Sequence, residues 1–201
     1  MLDTLQVGAV ILAAGRSSRM GRPKLLLPWS DTTVLGHLLR QWTAAGASQV
    51  VTVLAAGDSA LSEELDRLGV PASERILNPH PELGMFHSIQ LAARWPGWRS
   101  GLTHWAISLG DQPHLRLSTL SAVFPNTAAE ADLVSQPIGA EGLGRHPVLL
   151  PRKVFRMLTA VNAATLKAFL AQFPIRLCPV DDPGLELDLD YPEDYDRARQ
   201  M

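Results

Sequence analysis

Four positively charged side chains follow the first apolar segment of the chain: Arg16, Arg19, Arg22 and Lys24. Directly before them stand Ala13, Ala14 and Gly15, whose small side chains would let a ligand lie against the backbone. Clustered cations beside backbone amides bind phosphate groups well. The residue types therefore favour a ligand that carries phosphate.

The spacing of this loop differs from the two commonest glycine-rich phosphate motifs. A Walker loop has a lysine directly after its second glycine and then serine or threonine, but here two residues separate Gly21 from Lys24. The dinucleotide fingerprint places two glycines around a single residue at the end of a strand, and residues 13–15 lack that spacing. The loop belongs to neither class.

Carboxylates stand at two places where they could hold a divalent metal beside a triphosphate. Asp111 follows a strand-like apolar segment, and hard oxygen ligands of this kind suit Mg²⁺. Asp188 and Asp190 share one face of an extended segment, because side chains alternate along such a segment. Each place has a structural alternative, which is a turn cap for Asp111 and a solvated strand edge for the pair.

A second glycine-containing loop opens a helix further along the chain. It runs from Asn78 to Gly84, and Ser88 follows in the helix. The backbone amides of this loop and the Ser88 hydroxyl could bind a base or a sugar. The alternative is that these residues only form an ordinary turn.

Other chemistries have no candidate residues. Cys178 is the single cysteine, which excludes an internal disulfide framework and a multi-cysteine zinc site. The six histidines lack the spacing of metal ligands, and no serine stands in a nucleophile elbow. We therefore expect no covalent catalysis.

Length and composition limit the class of protein. The chain has 201 residues, of which 46% are hydrophobic, and we expect a single domain over residues 1–201. A formal net charge of −2 gives no general attraction to nucleic acid or to an anionic membrane. Residues 1–4 do not resemble a signal peptide, and no apolar run approaches membrane-spanning length. We expect a cytoplasmic protein without nucleic-acid or membrane partners.

Strands and helices alternate along most of the chain, which predicts an α/β fold of three layers with a mostly parallel central sheet. The apolar runs predict strands at residues 7–12, 49–55, 75–77, 104–109, 132–136, 146–150 and 175–178. The strand at 146–150 is expected at an edge of the sheet, and residues 24–29 are expected to be briefly extended. Helical spacing predicts helices at residues 34–45, 58–68, 85–93, 117–123, 153–158 and 165–173, and a last helix from Pro192.

Taken together, the motifs of the chain resemble the MobA-like NTP transferase family, and within it the molybdenum cofactor cytidylyltransferases. The motifs are Leu12-Ala13-Ala14-Gly15-x-Ser17-x-Arg19-Met20-Gly21-x-x-Lys24, Asn78-Pro79 to Gly84-Met85 with Ser88, Leu109-Gly110-Asp111-Gln112-Pro113, and Asp188-Leu189-Asp190-x-Pro192-Glu193-Asp194-Tyr195. They follow one another in family order and span nearly the whole chain.

The resemblance implies a fold related to the nucleotide-diphospho-sugar transferases and a Mg²⁺-dependent site. Arg19 and Lys24 would hold the triphosphate, and with Asp111 they would be the catalytic residues. Asp111 would bind Mg²⁺ together with Asp188 or Asp190. The residues implied to bind the nucleotide are Leu12, Ala13, Ala14, Gly15, Arg16, Ser17, Lys24, Asn78, Gly84 and Ser88.

Two segments depart from the pattern of this branch, and both belong to the acceptor side. The branch usually carries Gly-His-Pro, whereas this chain has Arg145-His146-Pro147. It normally continues with Gly-Asp-x-Gly-Ala-Arg, where the nearest stretch here runs from Asn162 to Lys167 and lacks the acid.

The expected reaction moves a nucleoside monophosphate, CMP from CTP or its counterpart from another NTP, to molybdopterin or its molybdenum-loaded form, with release of pyrophosphate. A recipient molybdoenzyme or its chaperone would then be a partner. The alternatives are a nucleotidyltransferase for a sugar phosphate or other small phosphate, an NAD(P)-dependent oxidoreductase on the same fold, and a non-catalytic nucleotide-binding accessory protein.

Overall fold

A computed structural model describes residues 5–15 and 17–201. Residues 1–4 and Arg16 lie outside the described part. The expectation about a signal peptide and the nucleotide-binding role of Arg16 therefore remain predictions.

The chain alternates between short strands and helices. The strands are β1 (Val7–Ala13), β2 (Pro28–Trp29), β3 (Thr32–Thr33), β4 (Gln49–Ala55), β5 (Arg75–Asn78), β6 (His104–Leu109), β7 (Val134–Ile138), β8 (Val148–Pro151) and β9 (Ile175–Pro179). The helices are α1 (Val34–Ala44), α2 (Ser59–Arg67), α3 (Met85–Arg94), α4 (Leu117–Ala122), α5 (Arg152–Met157), α6 (Leu166–Leu170) and α7 (Pro192–Ala198).

Seven strands form one sheet in the order β5-β4-β1-β6-β8-β7-β9. The pairs β5–β4, β4–β1, β1–β6 and β7–β9 are parallel, and β8 runs antiparallel to both of its neighbours. The prediction of a mostly parallel sheet is confirmed. The prediction of an edge strand at residues 146–150 is wrong, because β8 lies inside the sheet. Its unbroken apolar sequence fits a strand that is covered on both faces.

Helices cover both faces of the sheet, as predicted. Along β1, Ala9 and Ile11 belong to the core formed with α1, α2, α4 and α7. Val10 faces the other way, into the core formed with α3, α5 and α6. The side chains of β1 alternate between these two cores, so the strand is apolar throughout.

Local sequence signals fix the start of the helices near the first loop. Thr33 precedes α1, and its hydroxyl oxygen accepts a hydrogen bond from the backbone N–H of Gly36. Asp58 caps α2 in the same way through the N–H of Leu61. These caps satisfy amide groups that the first turn of a helix leaves without partners.

Two predicted segments differ from the structure. Residues 24–29 are not simply extended, because Lys24–Leu26 forms a 3₁₀ turn after Pro23. The strand expected at residues 132–136 begins later, at Val134, and runs to Ile138. No helix in the described ranges is both long enough and apolar enough to cross a membrane.

Candidate active site

The carboxyl ends of β1 and β6 lie side by side and form the floor of a cavity. Leu12 is paired with Leu109, and the N–H of Gly110 donates to the carbonyl oxygen of Leu12 at 3.1 Å. A Cβ on Gly110 would lie 2.6 Å from that same oxygen, so only glycine allows the two strand ends to come this close. The close approach places Asp111, the next residue, at the end of β1.

Most of the residues implied to bind a nucleotide line this one cavity. Nine of the positions expected from the sequence contribute to its wall: Leu12, Ala13, Ala14, Gly15, Ser17, Lys24, Gly84, Ser88 and Asp111. An adjoining, more polar pocket adds Arg19 and Asp190. The first loop, the second loop and two of the predicted metal ligands therefore meet in space.

Lys24 links the first loop to the carboxylates. Its backbone N–H donates to the Ser17 hydroxyl oxygen at 3.3 Å, at the start of the 3₁₀ turn. Its Nζ donates to Asp111 Oδ2 at 2.7 Å and lies 3.6 Å from Asp190 Oδ1. Only 15% of its side chain is exposed, so the ammonium group is held against the carboxylates.

Asp111, Asp188 and Asp190, here called the carboxylate cluster, converge from two parts of the chain. The N–H of Leu189 donates to the carbonyl oxygen of Asp111 at 3.1 Å, which fixes the second segment beside the first. Leu189 is buried, and the carboxylates on either side of it point away from that core. Arg19 forms an ion pair with Asp190 at 2.8 Å.

The surroundings of Asp188 disfavour the negatively charged form of its carboxyl group. Surrounding protein atoms shield it partly from water, and this raises the pKa of its carboxyl. The negative charge of Asp111 raises that pKa further. The side-chain amide of Gln112 opposes the change by donating to Asp188 Oδ1 at 2.9 Å.

The carboxylate cluster has donor atoms that fit a hard divalent ion. Asp111 Oδ1 is buried and has no hydrogen-bond partner among the described residues, although Oδ2 is paired with Lys24. Within residues 5–15 and 17–201, no three histidine, cysteine, aspartate or glutamate side chains are grouped to hold a metal by themselves. This arrangement fits Mg²⁺, which is usually held by one or two carboxylates together with substrate phosphates.

Asn78 does not line the cavity, in contrast to the role expected from the sequence. Its side chain is completely buried, its amide donates to Ser88 Oγ at 2.9 Å, and its Oδ1 accepts from the N–H of His80 at 2.8 Å. Asn78 therefore positions the second loop and Ser88. Gly84, at φ 86°, adopts a backbone conformation that favours glycine and starts α3.

Several residues at the site were not among the sequence candidates. Pro81 and Met85 line the cavity beside Gly84, and the apolar residues flanking that glycine could have indicated this. His146 is buried near Asp111, and its Nδ1 lies 3.1 Å from the carbonyl oxygen of Ile107. Burial lowers the pKa of His146, which favours its neutral form.

The two segments that depart from the pattern of the branch, at Arg145 and at residues 162–167, have defined positions. Arg145 forms ion pairs with Glu141, at 2.6 Å, and with Glu186, so it ties the loop before β8 to the segment that leads to Asp188. Lys167 lies exposed in α6. The structure gives this part of the molecule a cation where the family pattern has glycine.

An α/β sheet that brings a cationic loop and a carboxylate cluster together at its strand ends has the architecture of a nucleotidyltransferase. Residues 9–177 match the MobA-like NTP transferase domain. The chain belongs to this family.

Relatives of similar length support the assignment. The molybdenum cofactor cytidylyltransferase of Escherichia coli (strain K12) is 24% identical over 196 residues, which are 96% of each chain. The crystal structure of Rv0371c from Mycobacterium tuberculosis H37Rv is 30% identical, with a TM-score of 0.78 over 98% of both chains. A structure of that mycobacterial protein in complex with manganese is 28% identical, with a TM-score of 0.71 over 98% of this chain and 99% of the other.

Proposed function

We propose that the protein transfers CMP from CTP to the phosphate of a molybdopterin-type acceptor and releases pyrophosphate. The observation that carries the proposal is the contact of Lys24 with Asp111 and Asp190 beside a cavity whose lining includes the small residues Ala13, Ala14 and Gly15. The match to a molybdenum cofactor cytidylyltransferase over 96% of both chains supports the choice of CTP and of the acceptor.

The transfer makes one bond and breaks one bond at the α-phosphorus. An oxygen of the acceptor phosphate attacks it, and the bond to the oxygen that bridges to the β-phosphate breaks. A phosphate monoester has a second pKa of about 6 and is ionised near neutral pH. The acceptor therefore needs no general base, which agrees with the lack of a candidate base in the sequence.

The residues of the cavity align the nucleotide and stabilise charge, which is most of what phosphoryl transfer requires. Ala14 and Gly15 let the base and ribose lie against the backbone. The Lys24 ammonium stabilises the charge that builds up on the α-phosphate, and Arg19 binds the outer phosphates. Ser88, positioned by Asn78, supplies a further polar contact.

Asp111, with Asp188 or Asp190, would hold the divalent ion. When bound, Mg²⁺ supplies Lewis-acid stabilisation of the phosphate oxygens. The unpartnered oxygen of Asp111 is the group best suited to this role.

Thermal unfolding with a panel of NTPs tests the nucleotide half of the proposal. A ligand that binds only the folded state raises the Tm by mass action, so CTP with Mg²⁺ is expected to give the largest rise. NADPH without Mg²⁺ is tested in the same way, and a rise of the Tm with NADPH would favour the oxidoreductase alternative. A set of NTPs that gives no Mg²⁺-dependent rise would overturn the proposal.

Pyrophosphate release with different acceptors tests the other half. We expect release from Mg²⁺-CTP with molybdopterin and none with a sugar 1-phosphate or without an acceptor. If pyrophosphate is released with the sugar phosphate and not with molybdopterin, the acceptor is a sugar phosphate and the proposal of nucleotidyl transfer still holds. Binding of CTP without release on molybdopterin would identify a non-catalytic accessory protein.

A further inference from the structure

We infer that Lys24 is an exchangeable counter-ion of the carboxylate cluster, which makes the binding of metal and nucleotide depend on each other. In this role Lys24 neutralises Asp111 until a nucleotide offers its phosphates as alternative partners. The inference rests on the proposed function, because it assumes that a triphosphate and a divalent ion share this cavity.

The ion pairs show how an ion without a nucleotide would be disfavoured. Lys24 Nζ is 2.7 Å from one oxygen of Asp111, so a metal ion at the other oxygen would face a positive charge across a single carboxylate. Lys24 also lies 3.6 Å from Asp190 Oδ1, an oxygen of one of the two candidates for the second ligand of such an ion. Repulsion between like charges at such distances is strong where water is partly excluded, and the Lys24 side chain is only 15% exposed.

A nucleotide changes this balance because its phosphates carry several negative charges. They give the Lys24 ammonium a competing partner and leave Asp111 Oδ2 available beside Oδ1. The nucleotide alone would in turn meet three carboxylates that, among the described residues, have two cations in contact with them, Lys24 and Arg19. Each ligand therefore removes an obstacle to the other, and the coupling free energy is the same in both directions.

Arg19 is less suited to this role than Lys24. Its side chain is 59% exposed, it pairs with Asp190 alone among the carboxylates of the cluster, and its guanidinium lies over the ring of Tyr191 at 5.7 Å. Solvent screens such an exposed pair, so its effect on an ion at Asp111 is small. The coupling is therefore assigned to Lys24.

The test measures Mn²⁺ binding to the metal-free protein in the absence of nucleotide, by the electron paramagnetic resonance signal of free Mn²⁺. Lys24→Met removes the charge and keeps most of the side-chain volume. It is expected to bind Mn²⁺ at least about tenfold more tightly than the unmodified protein. Lys24→Arg keeps the charge and is expected to bind Mn²⁺ weakly.

Arg22→Met is the matched control, because Arg22 belongs to the same loop but lies over the ring of Tyr195 at 5.8 Å. It removes one positive charge without touching the carboxylate cluster and is expected to leave Mn²⁺ affinity within about twofold. If Lys24→Met fails to fold, Lys24→Gln is scored by the same criterion.

Mn²⁺ affinity in the neutral Lys24 variant no higher than in Arg22→Met would overturn the inference. That result would leave the proposed function intact if the unmodified protein still releases pyrophosphate from Mg²⁺-CTP. If loss of Lys24 raises the Mn²⁺ affinity while the unmodified protein transfers no nucleotide, the exchange is supported and the proposed function is refuted.

Discussion

Asp111 has two carboxylate oxygens in different environments. Oδ2 accepts a hydrogen bond from Lys24, whereas Oδ1 is buried without a partner in the described part of the chain. A buried unpaired oxygen costs free energy, and sites that bind ions commonly retain one. Among single atoms of the site, Asp111 Oδ1 is therefore the one best suited to bind a divalent ion.

Asp111→Asn keeps the shape of the side chain and removes its charge. We expect turnover to fall by about a hundredfold or more, because a preorganised charge near the transferring phosphate is lost. The measurement is pyrophosphate release under saturating CTP. Asp31→Asn is the control, because Asp31 pairs with Arg40 on the exposed surface and its loss should leave turnover unchanged. Near-normal turnover of Asp111→Asn would contradict the assigned role.

The ends of β1 and β6 and the second loop determine the shape of the cavity. Residue types predicted these elements well, because buried parallel strands form apolar runs and glycines mark the turns that follow them. The alternation of Asp188 and Asp190 around buried Leu189 could also be predicted. The ion pair of Lys24 with Asp111 could not, because its partners are 87 positions apart and only the strand order brings them together.

The misplaced elements have physical explanations. Strand β8 was expected at an edge, but it pairs with β6 on one side and with β7 on the other. The resemblance to the family implies that Asn78 contacts the nucleotide, whereas its burial and its bond to Ser88 fit a positioning role. Polar residues at strand ends can serve either function, and residue type does not distinguish them.

Two glycines at the carboxyl end of the sheet should respond differently to an added methyl group. Gly110→Ala should lower the free energy of unfolding by about 1–3 kcal/mol, because its Cβ would overlap the Leu12 carbonyl oxygen. Gly15 has open space around its Cβ position, so Gly15→Ala should leave stability nearly unchanged and weaken CTP binding. Urea unfolding and nucleotide titration measure the two effects. Equal stability of both variants would contradict the close approach of β1 and β6.

At the scale of the whole molecule, four histidines of the described residues, His104 fully and His37, His114 and His146 partly, are shielded from water in ways that oppose protonation. Burial lowers the pKa of His37, His104, His114 and His146 from the ordinary value of 6.5. His104 is held as a neutral ring between the Thr103 hydroxyl and the Ala131 carbonyl oxygen, at 2.9 and 2.8 Å. Their neutral form is therefore part of the packed fold.

Stability should consequently fall as the pH drops below 6.5. In that range the unfolded chain takes up more protons at these positions than the folded protein does, and the upper limit of the cost for a buried histidine such as His104 is about 1.4 kcal/mol per pH unit. As the pH rises above 6.5, these positions become neutral in the unfolded chain as well and the dependence fades. Urea unfolding between about pH 5.5 and about pH 7.5 measures it.

His104→Gln should reduce the slope of stability against pH, because it removes the buried histidine whose pKa is lowered in the folded protein. A slope that is identical in the unmodified protein and in His104→Gln would show that His104 contributes nothing to the dependence.

The most direct test of the proposed reaction follows the α-phosphate of CTP. The protein is mixed with CTP labelled at the α-phosphate, Mg²⁺ and molybdopterin, and the products are separated. We expect the label to move to the acceptor in a one-to-one ratio with pyrophosphate, and the transfer to be lost in Asp111→Asn. Label that remains in CTP, or that appears as free CMP with an unmodified acceptor, would contradict the proposed transfer.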